Sequence, residues 1–284
     1  MTTAEQTEVN QIQKAWDDIA PGYDEYVTPT GNWELPEKAL RLAGLQKGMN
    51  FLDVASGSGA LSIPAARMGA QVLAADLSPK MIDLLHRRAR NEGLSNLEGR
   101  VMDGYNLELN DNTFDIAGSQ FGVMLFPDLP RGLTEMARVT KPGGRVLMVV
   151  YGPPMNVEFL GYFINAIQIV VPTFSAPPMD PPPLPFQVAN PDILRQRMNE
   201  AGFKDIAIEP GIERLTFRTG KEMWDWVTNS NPIPAQMISN LTEEQKVEVQ
   251  LALDDMLRER ASGKAVAVLE AEVNIGIGTK RQDR

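Results

Sequence analysis

From Met49 to Tyr151 short apolar runs alternate with segments of helical periodicity, and no other feature of the chain constrains its fold as much. Five runs read as strands: Phe51–Ala55, Gln71–Asp76, Gly99–Asp103, Phe114–Gln120 and Arg145–Tyr151. Between them Met81, Leu84, Leu85 and Arg88 follow i, i+3, i+4, i+7 spacing, and Leu133, Met136 and Ala137 do likewise. Strands separated by helices need crossover connections, which predicts an α/β fold on a parallel sheet. Ser78-Pro79 has the form of an N-cap with proline at the first helical position, and Lys141-Pro142-Gly143-Gly144 that of a helix stop and turn. Pro64 is a local conflict: it falls near the second turn of the first helix of this region, where it should remove a backbone hydrogen bond.

After Tyr151 the texture changes. An apolar helical run gives way to Pro172, Pro177, Pro178, Pro181, Pro182, Pro183 and Pro185, a composition that favours extended geometry. Asp192–Gly202 is helical, Lys204–Glu209 reads as a sixth strand, Lys221–Ala261 is helix-rich, and Ala265–Gly278 alternates as a final strand. Within the helix-rich stretch Val249, Leu253, Met256 and Leu257 form an apolar stripe. The predicted organisation is an N-terminal helical cap segment (1–47), a cofactor-binding core (48–151), an apolar Pro-rich lid insertion (152–190) and C-terminal core strands (191–284) carrying a helical insertion at 221–262.

Composition excludes several classes of function. The chain of 284 residues carries a formal charge of −10, which argues against a dominant nucleic-acid-binding face. With no cysteine, disulfides, thiolate metal sites and cysteine nucleophiles drop out, and the single histidine, His86, cannot build a multi-histidine metal centre. No metal is expected. The N-terminus has neither a basic nor an apolar targeting region, and Val157–Pro172 is too short and too interrupted to span a bilayer, so a soluble cytoplasmic protein is expected.

The chemistry concentrates at Asp53-Val-Ala-Ser-Gly-Ser-Gly59, which leaves a strand and opens a helix. Gly57 and Gly59 let the backbone approach a ligand closely, and Asp76, ending the next strand, is placed to accept from ribose hydroxyls. Nicotinamide enzymes share those two features. Three details favour another nucleoside ligand. Asp53 precedes the glycines and would repel a pyrophosphate, Ser62 occupies the place of the third glycine, and Met102-Asp103-Gly104 sets an apolar side chain beside a carboxylate, which suits an adenine and its exocyclic amine.

Taken in order, Asp53–Gly59, Asp76, Met102-Asp103, Phe114-Asp115 and Lys141–Gly144 resemble the motifs of class I S-adenosylmethionine-dependent methyltransferases. The ubiquinone/menaquinone-biosynthesis type and its small-molecule relatives are the nearest in character. Trp16-Asp17-x-x-Ala20-x-x-Tyr23-Asp24 is similar to that type's N-terminal helix motif, and Ala201-Gly202-Phe203 also fits. The resemblance implies a Rossmann-like, doubly wound seven-stranded sheet with its last strand antiparallel, and S-adenosylmethionine as cofactor. It implies that Asp53, Ala55, Ser56 and Gly57 hold the methionine moiety, with Gly59 keeping the helix start close and Tyr23 lying over the cofactor. Asp76 would bind the ribose, Leu77 and Met81 would lie against the adenine, and Asp103, flanked by Met102 and Gly104, would meet its amino group. Ser119 and Gln120 would sit beside the sulfonium, with Phe121 next to the acceptor. Ala55 stands where the general pattern has its first glycine, which is tolerable if it keeps an ordinary φ.

Methyltransferases that act on nucleic-acid bases resemble one another in an (Asp/Asn/Ser)-Pro-Pro-aromatic tetrad at the end of the fourth strand. This chain has Ser119-Gln120-Phe121-Gly122 there, so a small, apolar or aromatic acceptor is expected. Tyr151, Phe159 and Phe163 are candidate acceptor contacts, although the aromatic residues of the insertion serve equally well as packing. No general base is assigned, His86 is read as part of a solvated basic face with Arg87, Arg88 and Arg90, and Trp224 and Trp226 as core anchors. Two rival functions stay open at this level: a nicotinamide-dependent oxidoreductase, and a non-catalytic cofactor-binding regulator. Oligomeric state is not legible.

Overall fold

The structure, a computed structural model, describes residues 3–28 and 33–282. Seven strands form one sheet: β1 Asn50–Val54, β2 Gln71–Asp76, β3 Leu97–Val101, β4 Phe114–Gln120, β5 Thr140–Tyr151, β6 Phe203–Phe217 and β7 Ala267–Lys280. Among the described residues the α-helices are, in chain order, α1 Thr3–Gly22, α2 Glu34–Leu42, α3 Ser62–Arg67, α4 Pro79–Asn91, α5 Leu129–Val139, α6 Glu158–Val170, α7 Pro191–Glu200, α8 Gly220–Ser230, α9 Pro232–Met237 and α10 Glu243–Ala261. None of them is long and apolar enough to cross a membrane.

The chain divides into two compact units. One comprises the described residues of Trp33–Pro153, Pro181–Ile212 and Glu272–Arg284; the other comprises those of Met1–Asn32, Pro154–Asp180 and Glu213–Ala271. The strand order is β3-β2-β1-β4-β5-β7-β6, with β1 parallel to β2 and β4, β2 parallel to β3, β4 parallel to β5, and β7 antiparallel to β5. This is the doubly wound sheet expected. Alternate residues of each strand feed two cores. Phe51, Val72, Ala74, Leu147 and Val149 meet α2, α3 and α4, whereas Leu52, Val54, Leu73, Val146 and Met148 meet α5 and α7. The strand order reverses between β1 and β4, and a crevice outside the carboxyl ends of the strands at such a switch point is where open α/β sheets bind ligands.

Several boundaries differ from expectation for local reasons. β3 ends at Val101, so Met102–Gly104 lies beyond the strand, though the Met102 N–H still donates to the Asp76 carbonyl at 2.9 Å. β5 starts at Thr140, and its register with β4 breaks between the Phe114 and Ile116 positions. Lys141–Gly144 is thus an irregularity inside the strand instead of a turn before it, with Gly143 at φ 78° absorbing the kink. Pro64 interrupts a ladder already under way, as expected: the Ile63 N–H donates to the Gly59 carbonyl at 3.0 Å and the Ala65 N–H to the Leu61 carbonyl at 3.1 Å, and the proline between them has no N–H to donate.

The second unit is built on aromatic packing. Trp226 meets Phe159 edge-on at 5.0 Å and Phe217 at 6.0 Å, while Trp224 lies 5.7 Å from Phe163, bearing out the tryptophans as core anchors. On α10 Val249, Leu253 and Leu257 of the apolar stripe are buried and Met256 is partly buried, and a capping box of Thr242 and Gln245 fixes where the helix starts. Glu158 accepts from Arg260 at 2.9 Å and from the Glu270 N–H at 2.7 Å, tying α6 to the end of α10 and to β7.

Candidate functional site

The site assembles at the carboxyl ends of β1, β2 and β4. Beyond β1 the chain turns through Ala55–Leu61 before α3 begins, with Gly57 at φ 53° and Gly59 at φ 99°. A Cβ added to Gly57 would meet nothing within 4 Å, so the loop leaves its backbone open to a ligand there. A Cβ on Gly59 would press on Ile63 at 3.1 Å and Leu85 at 3.3 Å, so this glycine serves helix packing. Ala55 does not keep an ordinary φ. It lies at φ 55°, and the loop after β4 packs closely on it: a Cβ on Gly122 would come within 2.6 Å of the Ala55 Cβ and 2.7 Å of its carbonyl oxygen. Gly122 is a site residue that motif reading missed, because only the three-dimensional proximity of the two loops gives it a role.

Three carboxylates lie at or just beyond the carboxyl ends of β1, β2 and β3. Asp53 is 1% exposed. Its Oδ2 accepts from Ser62 Oγ at 2.5 Å, while its Oδ1 is buried with no hydrogen-bond partner. Burial pushes this carboxyl up to about 7; the Ser62 hydrogen bond opposes the rise and the nearby Asp76 charge adds to it. Asp76 accepts from the Gly57 N–H through Oδ2 at 2.8 Å and from the Ser78 N–H through Oδ1 at 2.9 Å, so it organises the glycine loop as well as ending β2. Asp103 accepts from the Tyr105 N–H at 2.9 Å. Ser78 caps α4 by accepting from the Met81 N–H, as the Ser-Pro pair predicted, and leaves the Met81 side chain buried and Leu77 partly exposed.

The expected solvated basic face is only partly solvated. Arg88 donates from Nη1 to the Ser58 carbonyl at 2.7 Å and to Ser58 Oγ at 3.1 Å, and its guanidinium lies 5.5 Å from the Trp33 ring, which Arg67 approaches at 4.5 Å. His86 Nε2 accepts the Gly99 N–H at 3.1 Å, satisfying a backbone donor of the edge strand β3.

At the end of β4, Ser119 is fully buried and accepts the Val123 N–H at 3.1 Å. The Gln120 Oε1 is buried and, like Asp53 Oδ1, has no hydrogen-bond partner. Phe121 lies at φ 57° with its ring stacked on Tyr151, centroids 4.5 Å apart. The structure therefore brings Asp53–Gly59, Asp76, Met102–Gly104, Ser119–Phe121 and Tyr151 into one unit. Tyr23, Phe159 and Phe163 belong to the other, Tyr23 in a π-helical turn and the two phenylalanines in the tryptophan core.

A glycine loop and acidic strand ends flanking the switch point of such a sheet define a nucleoside-binding Rossmann-like fold. Residues 52–148 match the model of a methyltransferase domain. Demethylmenaquinone methyltransferase of Bacteroides fragilis is 30% identical over 171 residues, which cover 57% of this chain and 69% of that protein. An uncharacterised protein of Mycobacterium tuberculosis is 36% identical over 134 residues, so the match spans about half of each protein, 47% of both. Among solved structures, phosphoethanolamine N-methyltransferase 2 of Haemonchus contortus bound to S-adenosylmethionine shares the fold, with a TM-score of 0.55 and 19% identity over 89% of this chain and 54% of that one. The chain belongs to the class I S-adenosylmethionine-dependent methyltransferases.

The residues present fit that cofactor. A buried, unpartnered carboxylate oxygen at the end of β1 needs a donor or a cation, and the open backbone face at Gly57 lies next to it in the chain.

Proposed function

We propose that the protein transfers a methyl group from S-adenosylmethionine to a small apolar or aromatic acceptor. The observation that supports this most is the unpartnered Asp53 Oδ1, an acceptor and latent negative charge beside a glycine loop, complementary to the ammonium of a methionine moiety. Ala55, Ser56 and Gly57 hold the rest of that moiety, and Gly59 keeps the start of α3 close. Asp76 receives the ribose hydroxyls, Leu77 and Met81 back the adenine, and Asp103, between Met102 and Gly104, receives its amino group. Ser119 and Gln120 flank the reactive centre.

The cofactor supplies a methyl on a sulfonium, whose departure leaves a neutral thioether. The chain therefore has no developing anion to stabilise at the leaving group, and its contribution is alignment. The β4 terminus is consistent with this. Ser119 is committed to a backbone donor, and Gln120 and Phe121 cannot take a proton near neutral pH.

The test is release of S-adenosylhomocysteine when the protein is given S-adenosylmethionine with a panel of phenols, quinols and amines. Acceptor-dependent release is expected. Tight binding of NADH with no affinity for S-adenosylhomocysteine would overturn the reading.

A further inference from the structure

Two features of the β4–β5 corner point to one ligand beside the cofactor. The first is a wall of rings. Phe121 and Tyr151 stack at 4.5 Å with planes 18° apart, and Phe186 follows 6.4 Å from Tyr151. All three are partly buried, not sealed in the core. Phe121 holds its place in a left-handed conformation that costs a non-glycine residue energy, and such strain persists where the surroundings over-determine it. The far end of the wall is clamped by its neighbour: Gln187 Nε2 donates to the carbonyls of Met124 at 2.6 Å and Phe126 at 2.9 Å, fastening the Phe186 turn to the segment that follows β4.

The second feature is the buried Gln120 Oε1 with no donor. Gln120 is in register with Val149 of β5, and Tyr151 lies two residues further along that strand, so Gln120 and Tyr151 emerge on the same face of the sheet. A side-chain carbonyl buried without a donor is costly, and a ligand that carries an O–H or N–H relieves the cost.

We propose that Gln120, Phe121 and Tyr151 form an acceptor subsite for a planar aromatic molecule that carries a hydroxyl or amine hydrogen, its ring against the aromatic wall and its donor on Gln120 Oε1. This rests on the methyltransferase reading and narrows its acceptor. The amide oxygen accepts a hydrogen bond without removing the proton, so Gln120 fixes orientation and is a positioning residue. Gln187 is a second, acting through Phe186.

The test is equilibrium binding of three probes to the intact protein saturated with S-adenosylhomocysteine: 2-naphthol, decahydro-2-naphthol (same hydroxyl, no aromatic face) and 2-methoxynaphthalene (same ring, no donor). 2-Naphthol is expected to bind about threefold to tenfold more tightly than either comparison probe, the range that one aromatic contact or one hydrogen bond contributes. Tyr151→Leu should abolish the preference over the saturated probe, while Tyr151→Phe retains it. Gln120→Met should abolish the preference over the methyl ether and leave the preference over the saturated probe. Equal affinity for all three probes, no binding of 2-naphthol, or preferences that survive in the variants would overturn the proposal. The dissociation constant of S-adenosylhomocysteine, measured on the same samples by calorimetry, separates the two readings. Its binding without a naphthol preference removes only the subsite; a naphthol preference in a protein that never binds it removes only the cofactor.

Discussion

Gly57 donates its backbone N–H to Asp76 Oδ2 at 2.8 Å, so the carboxylate that ends β2 also holds the loop that follows β1. Removing Asp76 therefore disturbs the fold as well as the ligand site. Asp76→Ala should weaken S-adenosylhomocysteine binding at least tenfold and also cost about 1–3 kcal/mol of stability, because two backbone donors, on Gly57 and Ser78, lose their acceptor. Asp103→Ala, which frees one donor on Tyr105, should cost less stability while still weakening the ligand. Urea unfolding alongside calorimetry reads both quantities.

Asp53 makes stability depend on pH in a defined direction. Its carboxyl ionises near 3.8 in the ordinary case and at about 7 in the fold, so the folded state binds the extra proton between those values. The stabilisation from the neutral acid is complete below about pH 4 and is lost as pH rises toward 7, a span worth about 4 kcal/mol. Asp53→Asn, which keeps the neutral shape, should become progressively more stable relative to wild type across that window. A difference in unfolding free energy that stays constant from pH 4.5 to 8 would contradict the assignment.

Ala55 at φ 55° is strained where glycine would not be. Ala55→Gly should raise stability by about 0.5–1 kcal/mol and leave cofactor affinity within twofold. Gly122→Ala should do the opposite, destabilising by about 2 kcal/mol or more as its Cβ meets the Ala55 backbone. Thermal and urea unfolding of the two variants would expose an error in either sign.

How much of this was legible in the sequence depended on whether the signal was local. β2 and β4 were readable to the residue because apolar runs bounded by turn residues carry their own period, and Ser78-Pro79 marked the start of α4 by cap chemistry alone. The conflict at Pro64 is equally local, a residue without an N–H between Ile63 and Ala65, which both donate four residues back. Arg88 and His86 read as a charged helix face, but the structure turns one toward Ser58 and the other toward Gly99, partners 30 and 13 residues away. Gly122 and the unpartnered oxygens of Asp53 and Gln120 depend on strands that come together only in the sheet, and no spacing in the chain encodes them.

The Arg88 clamp is directly testable. Arg88→Met keeps the length of the stem and removes the donors to Ser58, so the glycine loop loses an anchor on α4. S-adenosylhomocysteine should bind severalfold more weakly with little change in unfolding free energy, since much of the guanidinium's cost of ordering is removed with it. Unchanged affinity would assign Arg88 to surface packing with Trp33 alone.

The central claim is that the crevice at the ends of β1 and β2 holds an adenosyl nucleoside, and isothermal titration calorimetry of the intact protein with S-adenosylhomocysteine tests it most directly. One site per chain is expected, with affinity reduced at least tenfold in both Asp76→Ala and Asp103→Ala. No binding heat at any accessible concentration, or the same affinity in wild type and both variants, would contradict it.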